Sequence, residues 1–211
     1  MTDENAGSKG AAIGFNTMAE SFRDAAITLR DAPDQSARVS APLDYLAAHA
    51  LELSLKAQLR MRLFSEETLN KVFGHDLFKL YDELELHDPE LMKSVTKRVR
   101  SNWKTLLRGQ RDDIAEPFKR MGIDDEWWLR EMGVPDNSDI GQGIEDPRKA
   151  LQWFSERHAK HGSLFRYPEQ RMDHRKRYRI GQFETDIPLT TAIWIVDAIV
   201  DALVSNLRER A

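Results

Sequence analysis

The sequence predicts an all-α protein, an antiparallel four-helix-type bundle with an additional helical and loop insertion. Three observations carry that expectation. Apolar residues recur at helical spacing in nearly every segment. Helix starts and stops separate those segments, with Ser, Asp and Pro at the openings and Gly or Pro at the closings. Strand-like alternation is confined to the brief run Arg177, Tyr178, Arg179, Ile180 ahead of Gly181. The 211 residues are enough for one domain of good size, and no internal repeat divides them.

The elements follow in order. Residues 1–12, MTDENAGSKGAA, are acidic and small, and are expected to be a flexible lead to a single domain over 13–211. They lack the basic start and apolar run of a signal peptide. Phe15, Met18, Phe22, Ala25 and Leu29 form one stripe, which Ala32-Pro33 ends. Ser40 and Pro42 open a second helix through Leu43, Leu46, Ala50, Leu53 and Ala57 to about Leu63. Its centre, HALELSLKAQL, carries leucines around most of its circumference, yet His49, Glu52 and Lys56 are threaded through it. SEETLNKVFG, 65–74, reads as a short helix with Ser65 as cap and Gly74 as stop. HDLFKLYDEL, 75–84, gathers Leu77, Leu80, Tyr81 and Leu84.

Asp88-Pro89 opens a long helix expected to end near Arg111. Residues from 112 to about 146 hold scattered Gly and Pro and read as a loop-rich insertion with one short helix, DDEWWLREMG. Asp146-Pro147 opens RKALQWFSERHAKH, and 162–187 reads as irregular or partly extended. The final helix is expected from about Pro188 to Arg208. Asp197 and Asp201 interrupt its apolar run one turn apart, so it reads as a core helix and not a membrane span.

Composition narrows the function classes. Hydrophobic residues at 41% and charged residues at 31% give the balance of a globular chain, and a net charge of −4 argues against polyanion binding by bulk charge alone. The chain has no cysteine, which excludes disulfides, thiolate zinc sites and a cysteine nucleophile, and suits a cytoplasmic protein. No glycine-rich phosphate loop or nucleophile elbow is present.

The local charge pattern is more informative. Lys93, Lys97, Arg100, Lys104, Arg108 and Arg111 step by three or four residues along one helix, beside the apolar stripe Met92, Val95, Val99, Trp103 and Leu106. A second basic run, RMDHRKRYR at 171–179, includes Arg175, Arg177 and the aromatic Tyr178. Cations beside an aromatic suit a phosphate backbone and a stacked base, while the plainer reading is a solvated face neutralised by acids elsewhere. Glu52 and Lys56 stand i, i+4 in the favourable order for a helical ion pair. Asp76 fits a helix cap, with His75 beside it on the surface. Arg166 and Tyr167 precede Pro168 and so lie on extended chain, where a guanidinium fork could grip a phosphate. His158 and His161 stand i, i+3, but no fixed ligand pattern surrounds them, and the sequence assigns no metal ligand and no cofactor. Of Trp127 and Trp128, neighbours on a helix, one can face outward as an anchor for a partner protein.

Three stretches in order resemble the HEPN domain family of helical bundles: LAAHALELSLKAQL at 46–59 with its Glu-x-x-x-Lys pair, GHDLFKLYDEL at 74–84, and FRYPE at 165–169. The resemblance covers most of 15–84 and 161–208. It implies a four-helix bundle that forms a homodimer and binds RNA or a nucleotide, often beside a nucleotidyltransferase-like protein partner in a defence or toxin–antitoxin system. It groups Glu52, Lys56, His75, Asp76, Arg166 and Tyr167 as the binding residues.

Many members of the wider family are ribonucleases that carry an arginine, four to six intervening residues and a histidine. None of the six histidines here has an arginine at the required positions, and Arg166 and His174 have seven residues between them. The expectation is therefore a non-catalytic binding module. The alternatives are a ribonuclease with a displaced site built from Arg166 or Arg171 with His174, and a purely structural interaction protein working through Trp127 or Trp128.

Overall fold

The computed structural model describes the backbone at residues 3–30, 40–131, 148, 151–152, 154–155, 158, 175–180, 183–188 and 192–210. Helix α1 runs Asp3–Arg30 and α2 Ser40–Met61. The short α3, Glu66–Thr68, continues into a π-helical turn at Leu69–Phe73. Helix α4 spans Leu77–His87, α5 Pro89–Arg120 and α6 Glu126–Glu131. Helical residues at 148, 151–152, 154–155 and 158 mark α7. A hairpin of β1, Arg175–Ile180, and β2, Phe183–Pro188, precedes α8, Ala192–Arg210.

The molecule is an all-α bundle, with α2 innermost. Every residue from 50 to 59 is buried, which is what leucines spread around a whole helix require. Helix α2 packs against α1, α4 and α8, and α5 packs against α8 and α4. Pairs of contacts fix the directions. Ser8 Oγ donates to the Arg60 carbonyl at 2.6 Å, and Phe22 meets the His49 ring edge-on, so α1 and α2 run antiparallel. Arg208 bonds Glu20 at 2.7 Å while Arg23 bonds Asp197 at 2.5 Å, so α1 and α8 are antiparallel too. Asp88 meets Arg210 and Asp201 meets Arg98, which sets α5 antiparallel to α8. The long helices thus alternate in direction along the chain. The core joins Leu51, Leu55, Leu59, Leu80, Tyr81, Met92, Val95, Phe154, Ile199 and Leu203.

Local chemistry sets the element ends. Asp88 caps α5 by accepting from the Leu91 amide at 3.0 Å, with Pro89 next to it. Past α2 the Phe64 amide reaches the Leu59 carbonyl at 3.2 Å, and Leu63 takes φ 68°, the left-handed position usually given to glycine. Gly74, at φ 54°, closes the π turn and aims the chain into α4.

Four boundaries depart from the sequence reading. Helix α1 begins at Asp3, so residues 3–12 are helical rather than a flexible lead; Ser8 and Ala12 pack against the end of α2. Helix α5 continues to Arg120 through Pro117, because Ala115 and Phe118 pack with Leu129 of α6. The first part of the expected insertion is therefore a helical extension carrying α6. The segment before α8 forms a hairpin that includes Pro188 in its last register pair, so α8 starts at Ala192. No described helix is long and apolar enough to cross a membrane; Asp197 and Asp201 of α8 instead meet Arg23 and Arg98.

Candidate functional site

Helical spacing places His49, Glu52 and Lys56 on one face of α2, because residues three and four apart lie above one another. Gly74 turns the chain so that His75 reaches the same face, and His158 of α7 meets the same carboxylate oxygen. The four groups converge on the Glu52 carboxylate, only 2% exposed. Lys56 Nζ donates to Oε1 at 2.7 Å. His158 Nε2 lies 2.8 Å from Oε2, His75 Nδ1 2.9 Å and His49 Nδ1 3.7 Å.

Burial alone would favour the neutral acid at Glu52. The hydrogen bond with His158, the His49 ring and the Lys56 ammonium outweigh it and hold the carboxyl far below the ordinary carboxylate range. Glu52 is an anion held among a cation and three imidazoles.

Neighbouring contacts fix the rings. Tyr45 stacks on His49 with centroids 5.7 Å apart, and Phe22 meets it edge-on at 4.5 Å. The His75 and His158 rings are T-shaped at 5.6 Å. Ser155, one turn before His158, donates to Asp76 Oδ1 at 2.7 Å and accepts from the Phe78 amide at 3.2 Å, tying α7 to the start of α4. Asp76 is also the α4 cap, accepting from the Lys79 amide at 3.2 Å. Buried, its carboxyl would rise; the bonds from Ser155 and Lys79 hold it below the usual range. His75 is 62% exposed at its side chain, so the hub has one wet imidazole and a dry interior.

Of the residues the resemblance groups, the structure brings Glu52, Lys56 and His75 into contact, while Asp76 bonds Ser155 and Lys79 instead. The sequence reading missed His49 and His158 as members. The signal was present in the i, i+3 spacing of His49 and Glu52 and the same spacing of Ser155 and His158, but nothing local says that α7 lies over α2. Arg166, Tyr167, Arg171, His174 and His161, including the alternative catalytic set, fall outside the described residues.

The second candidate surface is α5. Lys93, Lys97, Arg100, Lys104 and Arg108 are all exposed. Lys93 pairs with Glu90 at 2.6 Å; among the described residues the other four make no ion pair. An open groove of about 520 Å³ lies along this face, lined by Lys93, Lys97, Arg100 and Lys104, the hydroxyls of Thr96 and Ser101, and Glu85 and Met92. Arg111 does not belong to the exposed stripe. Its side chain is 4% exposed and binds both carboxylate oxygens of Glu126, at 2.6 and 2.5 Å, because the extension of α5 folds α6 over it.

Arg175, Arg177 and Tyr178 lie on β1, where Arg177 is in register with Asp186 and Tyr178 with Thr185. Trp127 and Trp128 are both more than half exposed, and their rings meet edge to face at 4.6 Å. Comparison with family models, with curated proteins and with solved structures finds no match for this chain.

Proposed function

We propose that the chain is a HEPN-like binding module that takes RNA or a nucleotide along α5 and performs no catalysis there. One observation carries this reading: three exposed cations without ion-pair partners among the described residues, Lys97, Arg100 and Lys104, border a groove that also offers two hydroxyls. Phosphate oxygens supply the charge that such a row lacks, and binding of this kind releases counterions. The volume lies within the ordinary range for small-molecule sites. The resemblance adds a homodimer, a nucleotidyltransferase-like partner and a cytoplasmic defence or toxin–antitoxin setting as parts of the same proposal.

The test is anisotropy of a labelled single-stranded RNA, and of a labelled nucleotide, titrated with the protein at several salt concentrations. Binding that weakens with salt, and a slope reduced by about one for each cation removed in Lys97→Gln, Arg100→Gln and Lys104→Gln, is expected. No salt-dependent affinity for either ligand rejects the reading.

A second reading rests on the hub. An exposed imidazole oriented by a buried carboxylate, as His75 is by Glu52, is an arrangement suited to general base work. A ribonuclease using it would cleave RNA and lose that activity in His75→Ala; intact RNA with the wild-type protein removes it.

A further inference from the structure

We propose that His49, Glu52 and His158 form a binding site for a divalent first-row transition metal ion, with Zn²⁺ the best match to the ligand set. The three ligating atoms, one per residue, lie within 4.8 Å of one another. Imidazole nitrogens and a carboxylate oxygen suit zinc and its neighbours, and metal–ligand bonds near 2.0–2.1 Å in a tetrahedron set the ligands about 3.3 Å apart. The separations from Glu52 Oε2, 2.8 Å to His158 Nε2 and 3.7 Å to His49 Nδ1, straddle that spacing, so small side-chain rotations admit an ion.

Three further observations point the same way. His49 Nδ1 is buried, faces the carboxylate and has no hydrogen-bond partner among the described residues, an unsatisfied position that a metal–nitrogen bond would fill. Lys56 engages Oε1 alone, which leaves Oε2 as the ligating oxygen and fixes its direction, the role that hydrogen bonds to a ligating carboxylate commonly play. The aromatic contacts of Tyr45 and Phe22 keep the His49 ring beside Glu52.

The charge balance says what completes the site. One carboxylate cannot neutralise both the ion and the Lys56 ammonium 2.7 Å away from it, so an anionic ligand such as hydroxide is favoured in the remaining position. His75, with Nδ1 at 2.9 Å from the same oxygen and its ring largely exposed, stands at the wet side of the cluster. Three protein ligands with one position left over is the pattern of a reactive rather than a closed structural zinc site. The site does not depend on the α5 groove binding RNA or a nucleotide.

The test is titration of the full-length, chelator-treated protein with Co²⁺, followed by visible absorption, and displacement by Zn²⁺ measured calorimetrically. Expected are one equivalent bound, the intense d–d bands of a low-coordinate cobalt site, and displacement by Zn²⁺ but not by Mg²⁺. His49→Gln is the deciding variant, since His49 Nδ1 only approaches Glu52 at 3.7 Å; its affinity for Co²⁺ should fall by at least about tenfold while helical circular dichroism is retained. His158→Gln should do the same, and His49→Gln alone decides if His158→Gln does not fold. Absence of Co²⁺ binding by the wild type, or binding unchanged in His49→Gln, overturns the proposal.

Discussion

His158 and Glu52 are 106 positions apart in the chain, yet their Nε2 and Oε2 atoms lie 2.8 Å apart inside the bundle. The pair joins the innermost helix to a segment whose only described elements are fragments of one turn or less, and it makes the polar centre a product of tertiary structure. Removing its charge has a defined consequence. Glu52→Gln leaves Lys56, itself buried, without its anion. Breaking a buried pair in this way costs about 3–5 kcal/mol, whereas removing both charges costs much less. Chemical denaturation should show a large fall in the midpoint for Glu52→Gln and partial recovery in Glu52→Gln/Lys56→Met. Equal loss in the single and double variants would show that Lys56 does not depend on Glu52.

Asp88 predicts an acid-dependent term. It caps α5 and meets both Arg62 and Arg210. Burial raises its pKa, but the Leu91 amide and the two guanidinium groups lower it more, so the folded value lies below the unfolded one. The unfolded chain therefore binds the proton first as pH falls. The stabilisation is complete above the ordinary aspartate pKa near 3.9 and is lost as pH drops through the folded value. Asp88→Ala should cost about 1–2 kcal/mol at neutral pH from the cap alone, and the gap from wild type should narrow below about pH 4. Urea denaturation of both proteins across that range measures it.

Leu63 occupies a left-handed position at the end of α2 while its side chain is 63% exposed. Little packing is lost on removing it, and the steric cost of that backbone conformation disappears. Leu63→Gly should raise stability by roughly 0.5–1 kcal/mol, seen as a higher melting temperature.

Gly74 is the converse case. A Cβ there would find ordinary space, 3.7 Å from the Asn70 carbonyl oxygen, but φ 54° with ψ −117° suits no L-residue. Gly74→Ala should destabilise by about 1–2 kcal/mol and displace His75 from Glu52. The His75 ring resonances, compared by NMR between wild type and variant at one pH, should then shift as the contact with Glu52 is lost.

The sequence showed most of what depends on local period and capping. Helices α2, α4 and the start of α5 lie where leucine spacing, Asp76, Asp88 and Pro89 put them. Boundaries set by packing were harder to see. Ser8 belongs to α1 because a carbonyl of α2 is there to receive its hydroxyl, and Arg111 left the basic stripe because Glu126 folds back over it. The hub was half legible for the same reason. His49, Glu52 and Lys56 share a helix face by arithmetic alone, whereas His158 arrives from α7, whose position over α2 leaves no trace in either segment's spacing.

The depth of α2 has a kinetic consequence. Its amides from 50 to 59 are covered on every side, so hydrogen exchange there requires the whole bundle to open. Slow, unfolding-limited exchange should be uniform through the HALELSLKAQL segment. Arg111–Glu126 and a small cluster of Ala115, Phe118 and Leu129 tie α6 to α5, and its amides are expected to exchange sooner than those of α2. The polar centre is thus expected to persist as long as the protein is folded, and the outer arm bearing Trp127 and Trp128 to exchange its amides sooner.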